Sequence, residues 1–301
     1  MRCRGRDRSQ TELGLLDTGE AARPRRLPGC IHNSAKSQKE RIYLDAFAGE
    51  GSGVDRLTGQ EFTASARVAL EVTDPAFTKF RFFELPAKAR ALEKQLKSEY
   101  PGRDIRVYPG DSNATIPVAL ANLKRLRWAP TFAFLDPDGM QLSWKTLESL
   151  AQHKRGYRRP GAAKPEYKVE MWMLFPTQGL IRTLTLKKLL AESDARRASR
   201  LFGSDTWRAI YDSRRRNEFS GEQASVEYLN LMRYRLERDL GYRWTHPLAI
   251  KNLRGRLIYH MIFATDNGPG PKSSPTCTNA RHVKSRRCET KSFETSSNRV
   301  N

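Results

Sequence analysis

Four carboxylates in the first half of the chain follow short apolar runs with the length and composition of β-strands: Asp45, Glu84, Asp111 and Asp136. A carboxylate accepts hydrogen bonds from hydroxyl and amino groups and attracts cations. The carboxyl ends of parallel strands meet at one edge of an open α/β sheet, where such sheets bind ligands. We therefore expect the four side chains to line one ligand-binding edge. The alternative for each of them is a helix cap, since acids often precede helices.

The first carboxylate leads into a glycine-rich loop that contains Gly49, Gly51 and Gly53. Glycine allows positive φ and lets the backbone approach a ligand closely. The loop lacks the Gly-Lys-Ser/Thr ending of a nucleoside triphosphate site, and its last two glycines are too close together for the dinucleotide fingerprint. The remaining form, Asp-x-x-x-Gly-x-Gly, is typical of proteins in which S-adenosylmethionine takes the place of a dinucleotide.

With that cofactor, each binding group has a specific role. Glu84 is placed to accept hydrogen bonds from the ribose hydroxyls, and Asp111 from the adenine amino group. Asp45 and the amides of Gly49 and Gly51 would hold the methionine end, since its ammonium group needs a carboxylate and its carboxylate needs N–H donors. The sequence therefore predicts an S-adenosylmethionine site built from these five residues.

The candidate catalytic residue is Asp136, in the sequence Asp136-Pro-Asp-Gly139. Methyltransferases that act on the amino groups of bases carry Asp/Asn-Pro-Pro-aromatic after their fourth strand, and this chain keeps the first two residues. Methyl transfer needs an aligned nucleophile with an available lone pair, and a carboxylate can orient or deprotonate that nucleophile. The alternative is that Asp136 caps the helix that begins near Ser143.

The elements that position these residues alternate between strand and helix. Predicted strands cover residues 42–44, 79–83, 105–108, 131–135 and 169–175. The first predicted helix covers residues 62–72, with Ala64, Val68 and Val72 on its buried face. We expect Ser112 or Asn113 to cap the helix after the third strand. This alternation predicts an α/β fold, in which a mostly parallel central sheet carries helices on both faces.

The second half of the chain is mainly helical and ends in two strands, around residues 247–250 and 257–264. A hairpin added after a fifth parallel strand is how methyltransferase sheets usually end. The predicted organisation is a disordered basic segment (1–40), a cofactor-binding core (41–178), a helical extension with closing strands of the same domain (179–266), and a disordered polar tail (268–301).

The composition points to a phosphate-rich partner, because the formal net charge is +21. No apolar run approaches the ~18 residues that a membrane span needs. All four cysteines lie in the two polar ends, which fits a reducing cytoplasm. Cys277, His282 and Cys288 match no standard zinc spacing, so we predict no metal site and a cytoplasmic location.

Six motifs together resemble the three-Cys-motif partner (TcmP) family: Tyr43-Leu-Asp-Ala-Phe-Ala-Gly49, Gly110-Asp-Ser-Asn113, Phe134-Leu-Asp-Pro-Asp-Gly139, Leu174-Phe-Pro176, Leu201-Phe-Gly-Ser-Asp-Thr-Trp207 and Leu257-Ile-Tyr-His-Met-Ile-Phe-Ala264. The resemblance spans about residues 41–266. It implies a Rossmann-like fold similar to class I S-adenosylmethionine-dependent methyltransferases and a bacterial or archaeal origin. It also implies a partner protein with a three-cysteine, radical-type iron–sulfur motif.

Two functions from different classes follow from these observations. In the first, the chain is a methyltransferase that acts on nucleic acid or on a protein-bound target, as the full set of strand-end carboxylates favours. In the second, it is a non-catalytic Rossmann-like binding module that supports the three-cysteine partner. The second is favoured by Asp138, which stands where the family usually has an aromatic residue. A plain nucleic-acid-binding protein is supported by the charge alone.

Overall fold

The structure is a computed structural model that describes residues 38–49, 52–54, 61–63, 65–154, 167–187, 189–252 and 254–267. The strands in these ranges are β1 (Ile42–Asp45), β2 (Ser52–Val54), β3 (Glu61–Thr63), β4 (Lys79–Glu84), β5 (Asp104–Pro109), β6 (Thr131–Leu135), β7 (Glu170–Phe175), β8 (Trp244–Lys251) and β9 (Leu257–Thr265). The helices are α1 (Ser65–Leu70), α2 (Pro86–Glu99), α3 (Ser112–Asn122), α4 (Trp144–Gln152), α5 (Thr177–Thr183), α6 (Glu192–Phe202), α7 (Trp207–Arg215) and α8 (Gly221–Arg238), with a short 3₁₀ turn at Lys124–Leu126.

Seven of the strands form one sheet in the order β5-β4-β1-β6-β7-β9-β8. The first five in this order run parallel to one another, whereas β9 is antiparallel to both β7 and β8. The predicted α/β class with a mostly parallel sheet is therefore confirmed. The chain runs outward from β1 to β5 on one side and then returns to β6 on the other, so a topological switch point lies between β1 and β6. Strands β2 and β3 form a separate small hairpin.

Both faces of the sheet pack against helices, as the alternation along β1 shows. Ile42 and Leu44 belong to one buried cluster, which includes apolar side chains from α3 to α8. Tyr43, between them, belongs to a second cluster with side chains from α1 and α2. Successive side chains of a strand point to opposite faces, so the near-continuous apolar runs of the central strands are explained by burial on both sides.

The predicted helix over residues 62–72 was wrong in its start and in its buried face. Residues 61–63 pair with β2 as a strand, so the helix begins only at Ser65. Val68 and Val72 are half-buried, and Ala64 lies outside the described residues. The buried side chains of α1 are Ala66, Ala69 and Leu70, which share one helix face because they are three and four residues apart.

The predicted disordered ends, residues 1–40 and 268–301, lie outside the described residues apart from 38–40. The proposed division near residue 178 stays a prediction, although α5 to α8 share one buried cluster with β1. In the ranges that the structure describes, no helix combines the length and the apolar character needed to cross a membrane.

Candidate functional site

The four strand-end carboxylates lie along one edge of the sheet, because β5, β4, β1 and β6 are parallel neighbours. Asp45 and Glu84 are the last residues of β1 and β4. Asp111 follows the end of β5 by two residues, and Asp136 directly follows β6. The edge therefore carries acidic side chains on both sides of the switch point between β1 and β6.

Asp45 is completely buried and bonded within its own chain. Its Oδ2 accepts a hydrogen bond from Ser65 Oγ at 2.6 Å, and its Oδ1 accepts one from the Phe47 amide at 3.3 Å. The Tyr43 hydroxyl lies 3.4 Å from Oδ2. Burial, assisted by the charge of Asp136 and opposed by the hydrogen bonds from Ser65 and Phe47, raises the pKa of Asp45 to about 7. This carboxyl group therefore titrates near neutral pH, and a ligand would have to compete with Ser65 to reach it.

Glu84 joins the loop after β1 to the end of β4. Its Oε2 accepts a hydrogen bond from the Gly49 amide at 2.7 Å, and its Oε1 accepts one from the Leu85 amide at 2.8 Å. Gly49 has a φ of +64°, which a side chain would disfavour. Each carboxylate oxygen has two lone pairs, so this half-buried group can still accept further bonds from a ligand. Gly51 lies outside the described residues.

Asp111 is the cap of α3, so the helix-cap alternative is correct for this residue and the predicted cap at Ser112 or Asn113 was wrong. Its Oδ1 accepts from both the backbone amide and the side-chain Nδ2 of Asn113, each at 2.9 Å. The side chain is exposed, and Oδ2 accepts no hydrogen bond from the described residues. Capping through one oxygen leaves the other able to accept from a ligand amino group.

Asn113 holds three parts of the edge together, a role that the sequence did not reveal. Its Oδ1 accepts from the Ser143 amide at 2.9 Å and from Thr146 Oγ1 at 2.8 Å. Its Nδ2 donates to the carbonyl of Gln141 at 3.0 Å, in addition to Asp111. The start of α3 is thereby tied to the loop after β6 and to the start of α4. The only sequence signal was its place in the Gly-Asp-Ser-Asn motif.

Asp136 is half-buried at the start of the loop that leads from β6 to α4. It does not cap α4, because Ser143 Oγ accepts the hydrogen bond from the Thr146 amide there. The helix-cap alternative for Asp136 was therefore wrong. The following Asp138 is exposed. Arg200 Nη2 of α6 donates to the carbonyls of Met140 and Gln141 at 3.4 and 3.3 Å, which fixes the far end of the loop.

His260, to which the sequence assigned no role, lies next to the carboxyl end of β7. It is opposite Phe175 on β9, and its Nδ1 is 2.7 Å from Thr177 Oγ1. Burial lowers the pKa of His260 and so favours the neutral ring. The Thr177 hydroxyl also donates to the Phe175 carbonyl at 3.3 Å. The histidine is thus held at the same edge of the sheet as the carboxylates, two strands from Asp136.

No family model and no curated protein matches this chain. Within the described ranges, no group of three or more His, Cys, Asp and Glu side chains is arranged to hold a metal ion. Cys277, His282 and Cys288 lie outside those ranges.

Proposed function

We propose that this chain binds S-adenosylmethionine at the carboxyl edge of β5, β4 and β1 and acts as a methyltransferase. The observation that carries this proposal is the strand order. The first five strands of the sheet follow the doubly wound Rossmann order, and ligands of such sheets bind at the switch point, here between β1 and β6. The sheet then ends in the hairpin of β8 and β9 that is expected of methyltransferase sheets.

The side chains at this edge fit the chemical groups of the cofactor. The backbone amides of Gly49 and Leu85 each donate a hydrogen bond to the Glu84 carboxylate and hold it in place. The carboxylate keeps further lone pairs that can accept hydrogen bonds from two ribose hydroxyls. Asp111 offers Oδ2 to the adenine amino group. The cofactor supplies a methyl group bound to a positively charged sulfur. The charge of Asp136 contributes to the raised pKa of Asp45, and a nearby cation favours the ionised form of Asp45.

Asp136 is the proposed catalytic residue because it stands at the switch point and has some exposure. In this proposal its carboxylate orients the nucleophile of the substrate and accepts the proton that the nucleophile loses, while the cofactor, when bound, would supply the methyl group. Alignment and proton acceptance are the two contributions that such a residue can make to a methyl transfer.

Calorimetry with S-adenosylmethionine tests the cofactor site. We expect saturable binding by the native chain and at least about tenfold weaker binding by Glu84→Gln, which keeps an acceptor for the Gly49 amide but loses the anionic acceptor for the ribose. Glu93→Gln is the matched control, since Glu93 pairs with Lys97 at 2.8 Å on α2 and should leave affinity unchanged. Absence of binding to the native chain would contradict the proposal.

The second candidate is a non-catalytic binding module that supports a three-cysteine iron–sulfur protein, as the resemblance to the TcmP family implies. Two observations favour it: the carboxyl group of Asp45 is engaged entirely by its own chain, and Asp138 replaces an aromatic residue of the family motif. A labelled-methyl assay on nucleic acid and on the purified partner separates the two candidates. Cofactor binding with no transfer to either target would favour the module.

A further inference from the structure

The outer face of α6 carries two arginines that lack acidic partners. Arg196 and Arg200 are exposed, lie one helical turn apart, and form no ion pair with any described residue. Like charges at this spacing repel each other and destabilise a helix. Neighbouring arginines are compensated, since Arg197 pairs with Asp194 at 3.3 Å and Arg208 with Asp205 at 3.6 Å. The two uncompensated guanidinium groups therefore form a local site for an anion.

This site adjoins the proposed catalytic edge. Arg200 donates to the carbonyls of Met140 and Gln141, in the loop that begins at Asp136. We call Arg196 and Arg200 the α6 basic face.

The position of α6 is fixed by close packing against α4. Gly203, which ends α6 with a φ of +67°, lies so near Trp144 that an added Cβ would be 2.2 Å from Cγ of the indole. Arg235 of α8 stacks on the same indole ring, with its Cζ 4.2 Å from the centre of the Trp144 ring. The basic face therefore keeps a constant position relative to the loop after β6.

We propose that the substrate of this site is nucleic acid, and that the α6 basic face binds its phosphates beside the loop that contains Asp136. This inference rests on the proposed function and names its substrate class. A guanidinium group matches a phosphate with two parallel hydrogen bonds, and two such groups one turn apart suit successive phosphates of one strand. The net charge of +21 attracts a polyanion from a distance, and Arg196 and Arg200 then fix the position of the nucleic-acid strand on the protein.

Fluorescence anisotropy with a labelled single-stranded oligonucleotide of about 20 nucleotides, without S-adenosylmethionine, tests the proposal at several salt concentrations. We expect Arg196→Gln/Arg200→Gln to weaken binding at least tenfold and to reduce the log–log salt slope by about 1.4, as loss of two phosphate contacts on a single strand predicts. The matched control is Arg208→Gln/Arg216→Gln, which removes the same charge from arginines that pair with Asp205 and Glu218. Its affinity should fall less than about threefold, because paired arginines contribute little to phosphate binding.

Equal losses in the two double variants would show that only net charge matters and would overturn the proposal. Equal displacement of the oligonucleotide by polyglutamate would assign the face to an acidic protein instead. Calorimetry with S-adenosylmethionine on Arg196→Gln/Arg200→Gln should give the native affinity. If the native chain binds the oligonucleotide through this face but not the cofactor, the proposed methyltransferase activity fails while the phosphate-binding face stands.

Discussion

The hydroxyl group of Ser65 lies 2.6 Å from Oδ2 of Asp45 and donates a hydrogen bond to a carboxyl group that has no exposed surface. The bond stabilises the charged form, but burial has the larger effect and raises the pKa of Asp45 to about 7. The first strand of the sheet thus ends in a group whose charge changes within the physiological pH range.

Asp45→Asn should remove one component of the pH dependence of stability. The native pKa of about 7 exceeds the unfolded value of about 3.9, so native Asp45 keeps a proton that the unfolded chain loses. Its stabilising contribution is complete below about pH 4 and is lost as the pH rises through 7, by up to about 1.4 kcal/mol per pH unit. Urea unfolding between about pH 4 and 8 should therefore show a flatter profile for the variant. Profiles of equal slope would contradict this assignment.

Ser65→Ala should shift the same transition to higher pH. The hydrogen bond from Ser65 lowers the pKa of Asp45 and so opposes the effect of burial. Without this bond the pKa of Asp45 rises, and the carboxyl group stays protonated up to a higher pH. The shape of the urea profile, rather than the stability at one pH, is the measurement. A shift to lower pH would show that the bond favours the neutral carboxyl group instead.

Asn113→Ala should destabilise the fold by about 2–3 kcal/mol, because it leaves the Ser143 amide without its partner and removes one of the two bonds made by the Thr146 hydroxyl and by the Gln141 carbonyl. The free energy of unfolding in urea is the measurement. Asn122→Ala is a suitable control, since Asn122 is exposed at the other end of the same helix and should change stability by less than about 0.5 kcal/mol. Equal losses in the two variants would contradict the bridging role.

Gly203→Ala should cost more stability than Gly102→Ala. Both glycines have a φ in the left-handed region, so each substitution carries a conformational cost of about 1 kcal/mol. At Gly102 the space around an added Cβ is open, whereas at Gly203 the methyl group would overlap the Trp144 ring. We expect the difference between the two variants to be about 1–3 kcal/mol by thermal or urea unfolding. Similar values would mean that α6 can move away from α4 at little cost.

Asp136→Asn should lower the rate of methyl transfer by about a hundredfold or more, since this is the contribution of a typical general base. Cofactor affinity should change little, because the proposed contacts to the adenosine part come from other strands. Asp138→Asn, two residues along the same loop and exposed, should keep most of the activity. A labelled-methyl assay on nucleic acid gives both rates, and an active Asp136→Asn would remove this residue from the chemistry.

Much of the sheet could be predicted because its central strands are buried on both faces. The predicted bounds of β6 agree with the structure residue for residue, and α2 buries Ala89, Leu92 and Leu96, which recur at the helical spacing that the sequence shows. The helix α4 begins near Ser143 as predicted, and Ser143 is its cap. In each case the signal lies within one element, as an apolar period or a single capping side chain.

The contacts that shape the candidate site could not be predicted because they join residues far apart in the sequence. Asp45 is bonded to Ser65, twenty residues later, and Asn113 to residues about thirty positions away. The start of β8 at Trp244, earlier than the predicted residue 247, is likewise set by pairing with Thr265 of β9. No local pattern carries information of this kind, so the sequence indicates which residues reach the edge but not what they contact.

The position of β9 also affects the order in which the sheet can be assembled. β9 is the last described strand in the chain, yet it lies between β7 and β8, and it is the only described strand that pairs with β8. During synthesis, β7 therefore presents an open hydrogen-bonding edge until residues 257–265 have left the ribosome. Such an edge can recruit a foreign strand, so β7 is exposed to mispairing until β9 emerges.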